Sequence, residues 1–115
     1  SRRARGLPLW FSLATHGTQA YADAVEQTLT VAQEAAKRIE QHPNLELVTD
    51  QLLSICVFRR KGWTLEDYNQ WSEGQLEDGL SFVTPTKHKG ETVLRFCIVN
   101  PRTTVEHIEE ILASL

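Results

Sequence analysis

Arg95 sits where its neighbours offer it no obvious partner. It interrupts the apolar run Val93-Leu94-Arg95-Phe96-Cys97-Ile98-Val99. Arginine keeps its charge in proteins and cannot be neutralised in place. On a central strand it needs a carboxylate or an opening to water. Its planar fork of N–H donors matches a carboxylate at two points. The chemistry on offer is anchorage of a substrate carboxyl group. The competing reading is an arginine on the open face of an edge strand, reaching out to solvent.

The remaining reactive side chains form no complete catalytic set. His16, His42, His88 and His107 show no metal-ligand spacing. His107, beside Glu106 and Glu110, reads as a surface or packing residue, and His16, next to Gly17, as a turn residue. Cys56 and Cys97 lie in the apolar runs SICVF and RFCIV, where cysteine behaves as a small buried hydrophobe. No serine sits in a Gly-x-Ser-x-Gly elbow, and the glycines are too scattered for a phosphate loop. The large aromatics fall on different predicted elements, as core and interface anchors do. Trp10 and Phe11 differ: little of the domain precedes them to bury them, so they are expected to dock on a missing partner domain.

The elements that must position Arg95 follow from periodicity. Leu7–Thr15 reads as a short helix with Pro8 in its first turn, interrupted at Gly17. Thr18 then caps a long helix to about Gln41, with Tyr21, Val25, Thr28, Ala32, Ala35 and Ile39 along one side. Leu45–Val48 and Leu52–Phe58 are strand candidates, the second with apolar residues on both faces. Thr64 and Asp67 form a capping box for a second helix ending near Gly79. Leu80–Thr84 and Glu91–Val99 read as an antiparallel pair turning at Lys87–Gly90. Thr103 and Glu106 suggest a capping box for the last helix, which buries Val105, Ile108 and Leu115. The order helix, strand, strand, helix, strand, strand, helix predicts an α+β fold, a mainly antiparallel small sheet with helices on one face.

The 115 residues suit one domain with one core, and 41% hydrophobic with 23% charged residues is ordinary for a globular chain. A net charge of −3 argues against a nucleic-acid binder, even with Arg2, Arg3 and Arg5 crowded at the start. No apolar stretch approaches the roughly 20 residues of a membrane span. Leu7–Leu13 is too short for a signal peptide. Two cysteines make no disulfide framework, which fits a reducing compartment, and the expected location is cytoplasmic.

The opening Ser1-Arg2-Arg3-Ala4-Arg5-Gly6-Leu7-Pro8-Leu9-Trp10-Phe11, with Gly17 beyond it, resembles the join before the small domain of group II pyridoxal-phosphate-dependent decarboxylases. Those enzymes act on aromatic amino acids, histidine or glutamate. Cys56-Val57-Phe58-Arg59 resembles that domain's central strand, and Thr92–Asn100 followed by Thr103-Thr104 its last strand and helix. The resemblance covers essentially the whole chain and implies the small domain of a fold type I enzyme. It divides the chain into a connecting segment, 1–17, and a C-terminal small domain, 18–115. It implies that Arg95 contacts the substrate α-carboxylate, and that Trp10 and Phe11 lie at the seam with a pyridoxal-phosphate-binding large domain, in a homodimer. The cofactor would act as an electron sink after loss of CO2, while this domain grips the carboxylate and helps close the site. None of Lys37, Lys61, Lys87 and Lys89 matches the family's cofactor lysine, and His88-Lys89 stands in the wrong part of the pattern. The chain alone is therefore expected to bind no cofactor and to be inactive.

Two rivals from other classes remain at this level. One is a stand-alone α+β regulatory module that binds a small amino acid. The other is a structural domain that dimerises through the Trp10-Phe11 region.

Overall fold

The computed structural model describes residues 2–115; Ser1, which opens the motif quoted above, lies outside the described residues. The element order is α1 (Gly6–Gln41), β1 (Leu45–Leu47), β2 (Ile55–Arg60), α2 (Leu65–Glu77), β3 (Thr86–His88), β4 (Glu91–Cys97) and α3 (Val105–Leu112). The four strands form an antiparallel sheet in the order β1-β2-β4-β3, with the helices on one face, as expected.

Two expected helices are joined into α1, which bends at Gly17, where φ is +78° and ψ +158°. Only glycine holds that conformation without strain. Past the bend, the apolar stripe Val31, Ala32, Ala35, Ala36 and Ile39 is buried against the sheet. The small alanines let the helix backbone approach closely enough for the Cys56 thiol to donate to the Ala32 carbonyl oxygen at 3.3 Å. Ahead of the bend, Leu7, Leu9, Trp10 and Phe11 are all exposed.

The core face of the sheet carries Leu45, Cys56, Phe58, Leu94, Phe96 and Ile98, closed off by Ile108, Ile111, Leu112 and Leu115. Phe58 and Phe96 stack with ring centroids 4.7 Å apart. The Thr64–Asp67 capping box forms as the sequence suggests. Tyr68 on α2 ties the helix to the sheet: its hydroxyl accepts from the Arg60 N–H at 2.9 Å and donates to the Arg60 carbonyl oxygen at 3.2 Å.

Four local expectations are corrected. β2 begins at Ile55, because Leu52–Ile55 is a tight turn with the Ile55 N–H bonded to the Leu52 carbonyl oxygen at 3.0 Å. Leu80–Thr84 is not a strand. Gln75 accepts the Leu80 and Ser81 N–H groups, and Ser72 donates to the Val83 carbonyl oxygen at 2.7 Å, strapping the segment to α2. β3 therefore starts only at Thr86. The cap of α3 is Thr104 with His107, whose Nδ1 accepts from the Thr104 N–H at 3.1 Å, in place of Thr103 with Glu106. Cys97 is exposed rather than buried, because it points away from the helices.

Candidate functional site

Side chains alternate along a strand, so the face of the sheet opposite the helices is fixed by register. On β4 it holds Glu91, Val93, Arg95 and Cys97; on β2 it holds Ile55, Val57 and Arg59. Val57 pairs directly with Arg95, and Ile55 with Cys97. Arg95 is exposed, as the solvent-reaching alternative also requires, and it has no hydrogen-bond or ion-pair partner among the described residues.

The acids on this face are held by Arg59. Its Nε and Nη2 bond both oxygens of Glu46 on β1, at 3.0 and 3.2 Å, and its Nη1 reaches Glu91 on β4 at 2.5 Å. The hydrogen bonds and charge of Arg59 hold the Glu46 carboxyl below the ordinary glutamate range. One guanidinium thus straps three strands and occupies the acids that share the face with Arg95. Sequence reading missed this clamp. Glu46 and Arg59 become neighbours only once the β1–β2 register is known.

Beside Arg95 the sheet opens into a cleft. The β3–β4 ladder stops at Thr86↔Val93, so β4 beyond that point has no strand on its outer side. The irregular segment 82–85 runs past instead, and together with Thr86, β4 and α3 it encloses about 480 Å³. The walls include Phe82, Pro85, Ile98 and Ile108, with Thr84, Thr86 and Thr103 as neutral polar groups. Among the described residues, Arg95 is the one charged residue lining this cleft. An unpaired fork of donors at the edge of a cleft with apolar and neutral polar walls can take a carboxylate and leave the ligand's uncharged portion against those walls.

The other candidates lie apart from it. Trp10 and Phe11 are 63% and 66% exposed on the first segment of α1, so they remain unburied within this chain. No group of His, Cys, Asp and Glu able to hold a metal ion occurs among the described residues, and no helix among them is long and apolar enough to cross a membrane. The four lysines do not fit the task of holding an aldehyde cofactor near Arg95. Lys37 pairs with Glu34, Lys61 bonds the Pro43 carbonyl oxygen, and Lys87 and Lys89 are exposed at the β3–β4 hairpin. None of them lines the cleft.

No protein-family model matches the chain. An aromatic-L-amino-acid decarboxylase of Bacillus atrophaeus is 27% identical over 122 residues, covering 100% of this chain and 25% of that protein. Tyrosine decarboxylase 2 of Arabidopsis thaliana is 29% identical over 117 residues, covering 96% of this chain and 21% of that protein. The crystal structure of the glutamate decarboxylase domain of a diaminobutyrate-pyruvate transaminase and L-2,4-diaminobutyrate decarboxylase from Vibrio parahaemolyticus superimposes with a TM-score of 0.83 at 26% identity. That match covers 98% of this chain and 25% of the other. The chain spans about a quarter of the length of these relatives. In its relatives and in its fold, the chain matches the group II pyridoxal-phosphate-dependent decarboxylase family over about a quarter of those proteins' length.

Proposed function

We propose that this chain is the C-terminal small domain of a pyridoxal-phosphate-dependent amino-acid decarboxylase, in which Arg95 receives the α-carboxylate of the substrate. Residues 18–115 form the domain, and residues 1–17 connect it to a large domain that holds the cofactor. Trp10 and Phe11 lie at that seam. The intact enzyme works as a homodimer in the cytoplasm, and this chain alone is inactive.

One observation carries the reading. Arg95 has no partner among the described residues, although Glu46 and Glu91 stand on the same face of the sheet, both held by Arg59. A charge-assisted contact from a guanidinium to a carboxylate contributes more than a neutral hydrogen bond. It also fixes the direction of the bond to the α-carbon, which orients the group to be lost. The exposed seam residues support the remainder. A chain with 59% exposed Leu9 beside 63% exposed Trp10 leaves apolar surface that a neighbouring domain would cover.

The test compares two ligands on the intact enzyme. Arg95→Lys is expected to weaken binding of the amino-acid substrate on the order of tenfold or more. Binding of the product amine, which lacks the carboxylate, should be unchanged. Equal weakening of both ligands, or of neither, would show that Arg95 does not read the carboxylate.

A further inference from the structure

The outer edge of β4 is only partly used. In an antiparallel ladder, alternate residues direct both backbone groups to the same neighbour. The Ile98 N–H bonds the Ser54 carbonyl oxygen at 2.9 Å, on the β2 side. Phe96 and Leu94, paired with Cys56 and Phe58, share that phase. Val93, Arg95 and Cys97 therefore direct their backbone groups to the other side. Val93 finds Thr86 there. Those of Arg95 and Cys97 meet no strand among the described residues, and both residues line the cleft.

Segment 82–85 has the features of the missing length of strand. Continuing the Thr86↔Val93 register sets Thr84 opposite Arg95 and Phe82 opposite Cys97. Side-chain burial already alternates in phase with β4. Phe82 and Thr84 are exposed, as Cys97 and Arg95 are, and Val83 is buried, as Phe96 is. Pro85 falls where its missing N–H would face away from β4, a position that an edge strand tolerates. The Gln75 carbonyl oxygen anchors the chain just ahead, at Leu80 and Ser81. Ser72 then holds the segment on α2 by donating to the Val83 carbonyl oxygen at 2.7 Å.

We propose that segment 82–85 is a strap that closes onto β4, extending β3 by the pairs Thr84↔Arg95 and Phe82↔Cys97. The structure holds the open position, with the Ser72 bond as its latch. Closing gives up that bond and makes about two backbone hydrogen bonds for each new pair. Ordering the segment offsets part of the gain, so both positions are populated. Closure fills the space beside Arg95. A ligand in the cleft and the closed strap exclude each other, and the closed share lowers the apparent affinity. That consequence rests on the reading of Arg95 as the carboxylate anchor; the closure itself does not.

Amide hydrogen exchange on the full-length protein tests the strap without reference to activity, read at single residues by mass spectrometry with electron-transfer fragmentation. Thr84→Pro removes the donor to the Arg95 carbonyl oxygen and blocks closure. The Arg95 and Cys97 amides are expected to exchange about threefold faster, or more, in Thr84→Pro than in the unaltered protein. Ser72→Ala removes the latch and should slow them by about threefold. The Phe96 amide, bonded to β2, should stay slow in all three proteins. If Thr84→Pro releases it, Phe82→Pro takes its place, since the Phe82 N–H is the donor to the Cys97 carbonyl oxygen. Equal rates at Arg95 and Cys97 across the three proteins overturn the proposal. Uniformly fast exchange would mean that the edge stays open, and uniformly slow exchange that something other than the strap covers it. Failure of the Arg95 reading is separately visible. A ligand in the cleft predicts a KM about threefold higher in Ser72→Ala, with kcat unchanged. An unchanged KM beside the expected exchange pattern would place the ligand elsewhere and leave the closure standing.

Discussion

Arg95 stands directly opposite Val57 across the β2–β4 ladder, on the sheet face that carries no helix. The pairing gives the guanidinium an apolar neighbour in place of an acid. Two residues further along the same face of β2, Arg59 binds Glu46 and Glu91. The sheet therefore separates one arginine that is structurally satisfied from one that is not.

That separation has a titration signature. The Glu46 carboxyl is held low chiefly by the hydrogen bonds from Arg59. In Arg59→Gln, Glu46 should titrate at higher pH, back in the ordinary glutamate range. Carboxyl chemical shifts followed by NMR against pH check this. An unmoved Glu46 midpoint would mean that the clamp is not formed in solution.

Several carboxyls share the same sign of shift. Asp67 is lowered by the backbone and hydroxyl bonds of Thr64, Glu34 by Lys37 and Arg38, and Glu46 by Arg59. A folded-state value below the unfolded one stabilises the fold above the unfolded pKa, near 4, and that contribution is lost as pH falls through the folded value. Denaturant midpoints of the folded protein should be level from about pH 7 to 5 and decline below about pH 4. A midpoint that rises on acidification would contradict the assigned pairings.

Phe58 is fully buried, on the sheet's core face, and stacked on Phe96. Phe58→Ala should cost about 3–5 kcal/mol, from lost transfer free energy and the cavity left behind. Equilibrium unfolding measures this. A loss under about 1 kcal/mol would mean that the core collapses around the gap or is packed differently.

Gly17 allows α1 to bend between the exposed aromatic segment and the buried alanine stripe. Alanine cannot hold φ +78°, ψ +158° without strain of about 1–3 kcal/mol. Residues 6–16 are exposed or half-buried, so the chain should relieve the strain by redirecting that segment. In the intact enzyme, Gly17→Ala is expected to lower activity while leaving the unfolding midpoint of this domain nearly unchanged. Normal activity in that variant would show that the bend does not set the seam.

Much of this arrangement was legible in the sequence because it depends on local signals. The Thr64–Asp67 box forms; the expected stripe of the long helix is buried at Thr28, Ala32, Ala35 and Ile39 but exposed at Tyr21 and Val25, and the turn expected at Lys87–Gly90 narrows to Lys89-Gly90 because Lys87 and His88 belong to β3. Elements governed by distant partners were read less well. Leu80–Thr84 has strand-like composition, but its hydrogen bonds to the Gln75 carbonyl oxygen and from the Ser72 hydroxyl hold it outside the sheet. Leu52 and Leu53 look like the start of a strand and form a turn instead. Arg95 was visible as a lone charge in an apolar run. Its freedom from Glu46 and Glu91 was not, because that follows from strand register. Phe82, on the wall of the cleft, was likewise hidden, since nothing in the local pattern brings segment 82–85 beside α3.

The most direct test of the central claim is the kcat/KM of the intact enzyme carrying Arg95→Lys. A point charge keeps the attraction but loses the two-point grip, so a fall on the order of 100-fold is expected. Turnover within about twofold of the unaltered enzyme would remove Arg95 from the substrate site.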